Sequence, residues 1–185
     1  MKQILVIVLI ALISCNKKSS ENKNLNKKYF EFDKIEYYHT NLSIDSIVKS
    51  RSFPKTKKDF ALLQIVDGNV PVNLNDTLFI SNMKILQFEK QEINQKLHSK
   101  ISNIFTERKS QSLVALDAAS CITNFRDILI FRKSNKIIGV VKLCFTCDQY
   151  SIIGSKTNTT SFGERDEFKN LKEILVEPAA NREPY

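Results

Sequence analysis

Apolar and polar positions divide this chain into an apolar leader, a polar bridge and a long mixed region. Residues 4–13 are an unbroken apolar run behind Met1-Lys2-Gln3. Residues 16–28 (NKKSSENKNLNKK) then carry a single aliphatic side chain, Leu25. So little apolar surface cannot order a segment, and this one reads as a flexible tether. A coil of that length spans roughly 20 Å on average.

From Tyr29 onward the pattern becomes that of a folded chain. Residues 29–38 (YFEFDKIEYY) are aromatic and partly alternating, which predicts a strand. Residues 42–49 read as one short helix or a turn-rich connection, and Pro54 with the lysines after it marks a break. The continuous apolar run 60–66 (FALLQIV) predicts a buried strand, followed by a turn at Asp67-Gly68-Asn69. Residues 72–88 admit two readings: a short helix capped by Asn75-Asp76, or strands at 78–80 and 85–88.

Residues 89–105 predict a long helix. Phe88, Ile93, Leu97, Ile101, Ile104 and Phe105 recur at helical spacing, with no Pro or Gly between them. A second helix is predicted over 164–176, with Phe168, Leu171, Ile174 and Leu175 on one face and Pro178 as its stop. Residues 179–185 read as a disordered tail.

The strongest fold signal is 127–143 (DILIFRKSNKIIGVVKL). Two β-branched runs flank Ser134-Asn135, as in a two-residue hairpin. In that register Lys133 faces Lys136, Phe131 faces Ile138, Leu129 faces Val140, and Asp127 faces Lys142 as a complementary charge pair. Both faces of the hairpin are largely apolar, which predicts a covered, central position in a sheet. The fold class that follows is α+β: a small antiparallel sheet with a central 127–143 hairpin, covered by two helices, in a single domain over 29–178.

Carried to the open end of the hairpin, the register sets Cys144 opposite Phe125 and Cys147 opposite Ile122, next to Cys121. Regular alternation points Cys144 and Cys147 to opposite faces, so only one is well placed to meet Cys121. The reading adopted is a Cys121–Cys147 disulfide, with Cys121–Cys144 as its alternative. Three uses of the cluster compete. One is a structural disulfide plus a buried thiol that packs as a small hydrophobe. A second is a Cys144-Phe145-Thr146-Cys147 redox dithiol, although residues 148–154 do not read as the helix that thioredoxin-type sites place after the pair. The third is a zinc site from Cys121, Cys144 and Cys147, with His98 or His39 as fourth ligand.

A lysine, a short apolar core and a small residue before Cys15 describe a signal peptide over residues 1–14. The apolar run is about half the ~20 residues of a spanning helix. Leu12-Ile13-Ser14-Cys15 resembles the lipobox of bacterial lipoproteins. That resemblance implies cleavage before Cys15, a diacylglycerol on its sulfur, and further acylation (palmitate and its like), with residues 15–28 as lipidated cysteine and tether. Asn16, rather than Asp, implies the outer membrane, facing the periplasm, as the site of anchoring. The block from Cys121 to Phe131, followed by Cys144-Phe145-Thr146-Cys147, also resembles a pattern in small uncharacterised bacterial lipoproteins. No activity is implied by it, but it groups Arg126 and Asp127 with the cysteines.

Composition adds less. The formal charge is +8. The lysines form only short clusters, such as Lys17-Lys18, Lys27-Lys28 and Lys55-Thr56-Lys57-Lys58, which does not suit nucleic acid. Anionic lipid or an acidic envelope polymer fits better. No Gly-rich phosphate loop, HExxH or GxSxG motif is present, and no cofactor is implied. The expectation is therefore a membrane-anchored, non-enzymatic binding or envelope-interaction module, with thiol–disulfide or metal handling by Cys121, Cys144 and Cys147 as the alternative. Its partners are the membrane, through the lipid, and an unidentified protein or polymer.

Overall fold

The structure, a computed structural model, describes residues 26–76, 78–110 and 121–176. The apolar leader, Cys15, most of the tether and the tail lie outside the described residues. Five strands form one antiparallel sheet in the order β2-β1-β3-β4-β5. They are β1 Lys34–His39, β2 Glu89–Glu92, β3 Asp127–Lys133, β4 Lys136–Cys144 and β5 Gln149–Ile153. The expected hairpin is β3–β4 and stands at the centre.

Ser134 and Asn135 both adopt positive φ, 49° and 65°, as a two-residue turn of this hand requires. Lys133 faces Lys136 as expected, but the ladder shifts after Phe131/Arg132. Beyond that bulge Phe131 faces Gly139, Leu129 faces Val141 and Asp127 faces Leu143. The expected partners Ile138, Val140 and Lys142 are thus each corrected by one residue. Phe30 gives the physical reason: its ring stacks on Phe131 at 4.4 Å, in space that a side chain at Gly139 would occupy. The bulge at Ile138 brings the glycine, not a branched side chain, to that place.

Helices cover both faces of the sheet. On one lie α4 (His98–Ile104) and α5 (Glu167–Leu175). Ile101, Ile104, Phe168, Leu171, Ile174 and Leu175 pack there with Ile35, Leu129, Phe131, Val141 and Leu143. The other face carries α1 (Ile44–Ser52), α2 (Lys57–Leu62) and α3 (Leu78–Ile85). From this layer Ile47, Leu62, Ile65, Phe79 and Met83 pack on Ile128, Ile130 and Val140. Side-chain alternation along β3 divides the two cores, since odd positions serve one and even positions the other.

Three predicted elements change. The expected strand at 60–66 is helical: α2 runs into a π-helical turn at Leu63–Asp67. Thr56 and Asp59 form a reciprocal capping box that starts it. Ala61, Leu62, Ile65 and Val66 are the buried positions, a helical stripe hidden inside an apolar run. The expected helix at 89–105 is interrupted. Its first residues form edge strand β2, where Glu92 bonds Lys34 and Lys90 bonds Glu36 across β1. Asn94 caps a 3-10 turn, and only His98–Ile104 is α-helical. The second predicted helix is shorter than 164–176: residues 164–166 only bend the chain, and the helix runs Glu167–Leu175. No helix among the described residues is long and apolar enough to cross a membrane.

Candidate functional site

The cysteine cluster lies at the open end of the hairpin. Cys121 is bonded to Cys147, with Cα atoms 5.9 Å apart. Residues 121–126 are not in a strand, so the extended register that set Cys144 opposite Phe125 does not hold. A turn places Cys147 instead: β4 ends at Cys144, and the Cys147 N–H donates to the Cys144 carbonyl at 3.3 Å. The Cys144 thiol is free and buried, and its sulfur accepts from the Asn124 N–H at 3.4 Å. Asn124 is itself buried, and its side-chain amide nitrogen and oxygen find no hydrogen-bond partner among the described residues.

A metal site is not assembled here. Two of the three proposed thiolates are joined to each other. His98 hydrogen-bonds the Ile93 carbonyl and packs edge-on against Phe32. His39 faces Asp127. Among the described residues no three His, Cys, Asp or Glu side chains stand close enough to share a metal ion.

Asp127 anchors a polar group that periodicity did not reveal. Its Oδ1 accepts from the Tyr37 hydroxyl at 2.5 Å and from His39 Nδ1 at 2.8 Å. Tyr37 and His39 are two apart on β1, so they share the face that Asp127 presents from β3. His39 Nε2 meets the Asn41 side-chain oxygen at 2.9 Å. With an oxygen before each ring nitrogen the charged imidazole is favoured. The Asp127 bond raises the His39 pKa; burial opposes it, and Asn41 adds to the rise. Burial, with the Asp127 charge, pushes the Tyr37 hydroxyl far up, so it stays a donor. The group borders a cleft of about 290 Å³ floored by Leu175 and Val176. Among the described residues no Ser, Thr or Cys lines that cleft.

Two further charges are buried. Glu36 is gripped by Arg132 at 2.9 Å and Lys90 at 2.6 Å. Burial would raise its pKa, but those two hydrogen bonds outweigh it and hold it low. Lys142 is fully buried and donates to the carbonyls of Gly68 and Val70 at 2.5 and 3.0 Å. Its ammonium also lies over the Phe125 ring at 4.5 Å. It does not face Asp127, the partner expected from sequence. Instead it ties the turn after the π-helical segment to the sheet. Desolvation lowers its pKa to about 7, with Asp67 acting weakly the other way.

The segment that carries α1–α3 differs from the rest in its exposed side chains. Eight large apolar side chains are exposed among the described residues, and all lie between Ile44 and Ile85. Phe53 and Val72 are each 72 % exposed and Leu78 is 67 % exposed. A cleft of about 500 Å³ between α1 and α2 has Leu42, Phe53 and Leu62 in its walls and Lys49, Lys55 and Lys58 at its rim. Asp59 also lines it; its bonds to Thr56 and Ser50 hold its carboxyl well below the usual range. Comparison of the chain with protein-family models, curated proteins and solved structures gave no significant match.

Proposed function

We propose that this chain is a lipid-anchored protein of the bacterial envelope, and that its folded domain is a binding module rather than an enzyme. The anchor reading rests on Leu12-Ile13-Ser14-Cys15 and the tether after it. The binding reading is carried by the one-sided surface: every exposed large apolar side chain of the described residues belongs to the 44–85 layer. Apolar patches gathered on one face mark interaction sites. The test is site-specific photocrosslinking in cells from positions 53 and 78, compared with position 172 on α5. Adducts from the first two that are lost when Phe60→Ser/Val72→Ser is added, two other exposed apolar side chains of the same layer, support the reading. Equal adducts from all three positions, or none from 53 and 78, contradict it.

The second reading is thiol–disulfide exchange. The observation that favours it is the single turn holding Cys144 and Cys147. The Cys144 thiolate would attack the Cys147 sulfur, forming the 144–147 bond and releasing Cys121 as thiolate; the proton lost at Cys144 ends on Cys121. No outside oxidant is needed for that step. Mass-spectrometric detection of a Cys144–Cys147 bond in protein trapped at neutral pH supports this reading; Cys121–Cys147 as the sole bond opposes it.

A further inference from the structure

The geometry points to a second contact surface, a basic rim at the point where the chain enters the domain, which docks on an anionic bilayer leaflet. This rests on the anchoring reading above. The entry segment is fixed in place. Asn26 N–H donates to the Glu107 carbonyl, Glu107 N–H to the Lys27 carbonyl and Tyr29 N–H to the Phe105 carbonyl, at 2.8–3.0 Å. Lys28 also bridges Thr106. Whatever precedes Asn26 therefore leaves the domain from one defined site, at the C-terminal end of α4.

Two clefts meet there and share Lys28. The first, about 480 Å³, is polar; Lys28, Arg108 and Arg165 line it and no carboxylate does. The second, about 450 Å³, gathers Lys27, Lys28, Lys133 and Lys156 over Tyr29, Phe30 and Ile138. Its one carboxylate, Glu31, is already bonded to Lys133 at 3.0 Å. Arg108 reaches the buried Glu167 at 3.5 Å. Lys27, Lys156 and Arg165 have no ion-pair partner among the described residues. This is a polar, cationic recess beside an apolar-floored one, the order of chemistry met on entering a leaflet from water: phosphate first, then glycerol and acyl chain.

The occupant follows from where the chain goes next. Ten residues separate Cys15 from Asn26. The coil expected from their polar composition would span roughly 17 Å. A lipid on Cys15 thus holds this rim within about two Debye lengths of the headgroups at physiological salt, ~8 Å each. Cations so placed are drawn to anionic lipid. The entry segment lies on the α4–α5 face of the sheet, since Tyr29 and Phe30 pack in that core. Docking through the rim leaves the α1–α3 layer, on the opposite face, turned away from the membrane that holds the anchor.

The test is sedimentation with vesicles, using the mature chain with Cys15→Ser so that no acyl chain contributes. Phosphatidylcholine vesicles are compared with vesicles containing phosphatidylglycerol. Two triple variants remove equal charge: Lys27→Gln/Lys156→Gln/Arg165→Gln on the rim, and Lys49→Gln/Lys55→Gln/Lys58→Gln on the opposite layer. All six side chains are exposed, and urea unfolding checks that each variant folds. The expected result is binding to the anionic vesicles only, lost at high salt, weakened about tenfold or more by the rim variant and less than twofold by the other. Equal weakening by both variants overturns the proposal, as does the absence of anionic-vesicle binding. Equal affinity for soluble polyglutamate also overturns it, by assigning the rim to acidic polymers. Failure of lipidation at Cys15 reads out separately, in the mass of the mature protein, and leaves this assay intact.

Discussion

Gly139 faces Phe131 across the central hairpin, and the Phe30 ring fills the space between them. A glycine inside a strand weakens it unless something packs in its place. Here the segment that links the tether to the sheet does so. Gly139→Ala drives a methyl group into Phe30. Overpacking of this kind costs about 1–3 kcal/mol. Urea denaturation is expected to show that loss with an unchanged slope.

The disulfide closes a separation of 26 residues. A loop of that size stabilises by about 3.5 kcal/mol in the chain-entropy picture. Cys121→Ser/Cys147→Ser is expected to lose most of it in equilibrium unfolding. Thiol counting on denatured Cys15→Ser protein is expected to find one thiol without reductant and three with it. Three without reductant contradict the disulfide.

Lys142 makes stability depend on pH in an unusual direction. Its pKa falls to about 7 in the fold, against an unfolded value near 10.4. Between those values the unfolded chain holds more protons, so this residue makes stability rise with pH, by at most about 1.4 kcal/mol per unit. Below pH 7 the cost of burying the charge is complete. Lys142→Met is expected to flatten the rise between pH 7 and 9.5 when the two proteins are compared by urea unfolding. Parallel pH profiles contradict it.

His39 acts in the opposite sense. Its pKa is raised by Asp127, so its contribution is full below the unfolded value near 6.5 and fades as pH climbs through the folded value. The stability gap between wild type and His39→Gln is expected to be larger at pH 5.5 than at pH 8.5. An NMR titration of the ring is expected to show a midpoint above 6.5; a midpoint below it sinks the reading.

The hairpin and helix α5 were legible because each carries its own signal: paired β-branched runs around Ser134-Asn135, and a spaced apolar face from Phe168 to Leu175. The register slip at Ile138 was not, because it depends on Phe30, more than a hundred residues away in sequence. Residues 60–66 misled because a run apolar on all sides has no period; the Thr56-x-x-Asp59 box was the available clue. Residues 89–92 misled because their charges suit an exposed helix as well as an edge strand, and only Lys34 and Glu36 on β1 decide. Cys121–Cys147 was legible from the hairpin's open end even though the strand extension behind it was wrong. The Asp127 group was half visible: Tyr37 and His39 stand two apart in a strand, but nothing local names Asp127 as their partner.

The central claim is that Cys15 is the anchor. Mass spectrometry of protein purified from the membrane fraction tests it most directly. The account predicts a chain that begins at Cys15, carries diacylglycerol on the sulfur and shifts to an uncleaved, unmodified form in Cys15→Ser. A mature chain that begins elsewhere, or a Cys15 without lipid, contradicts it.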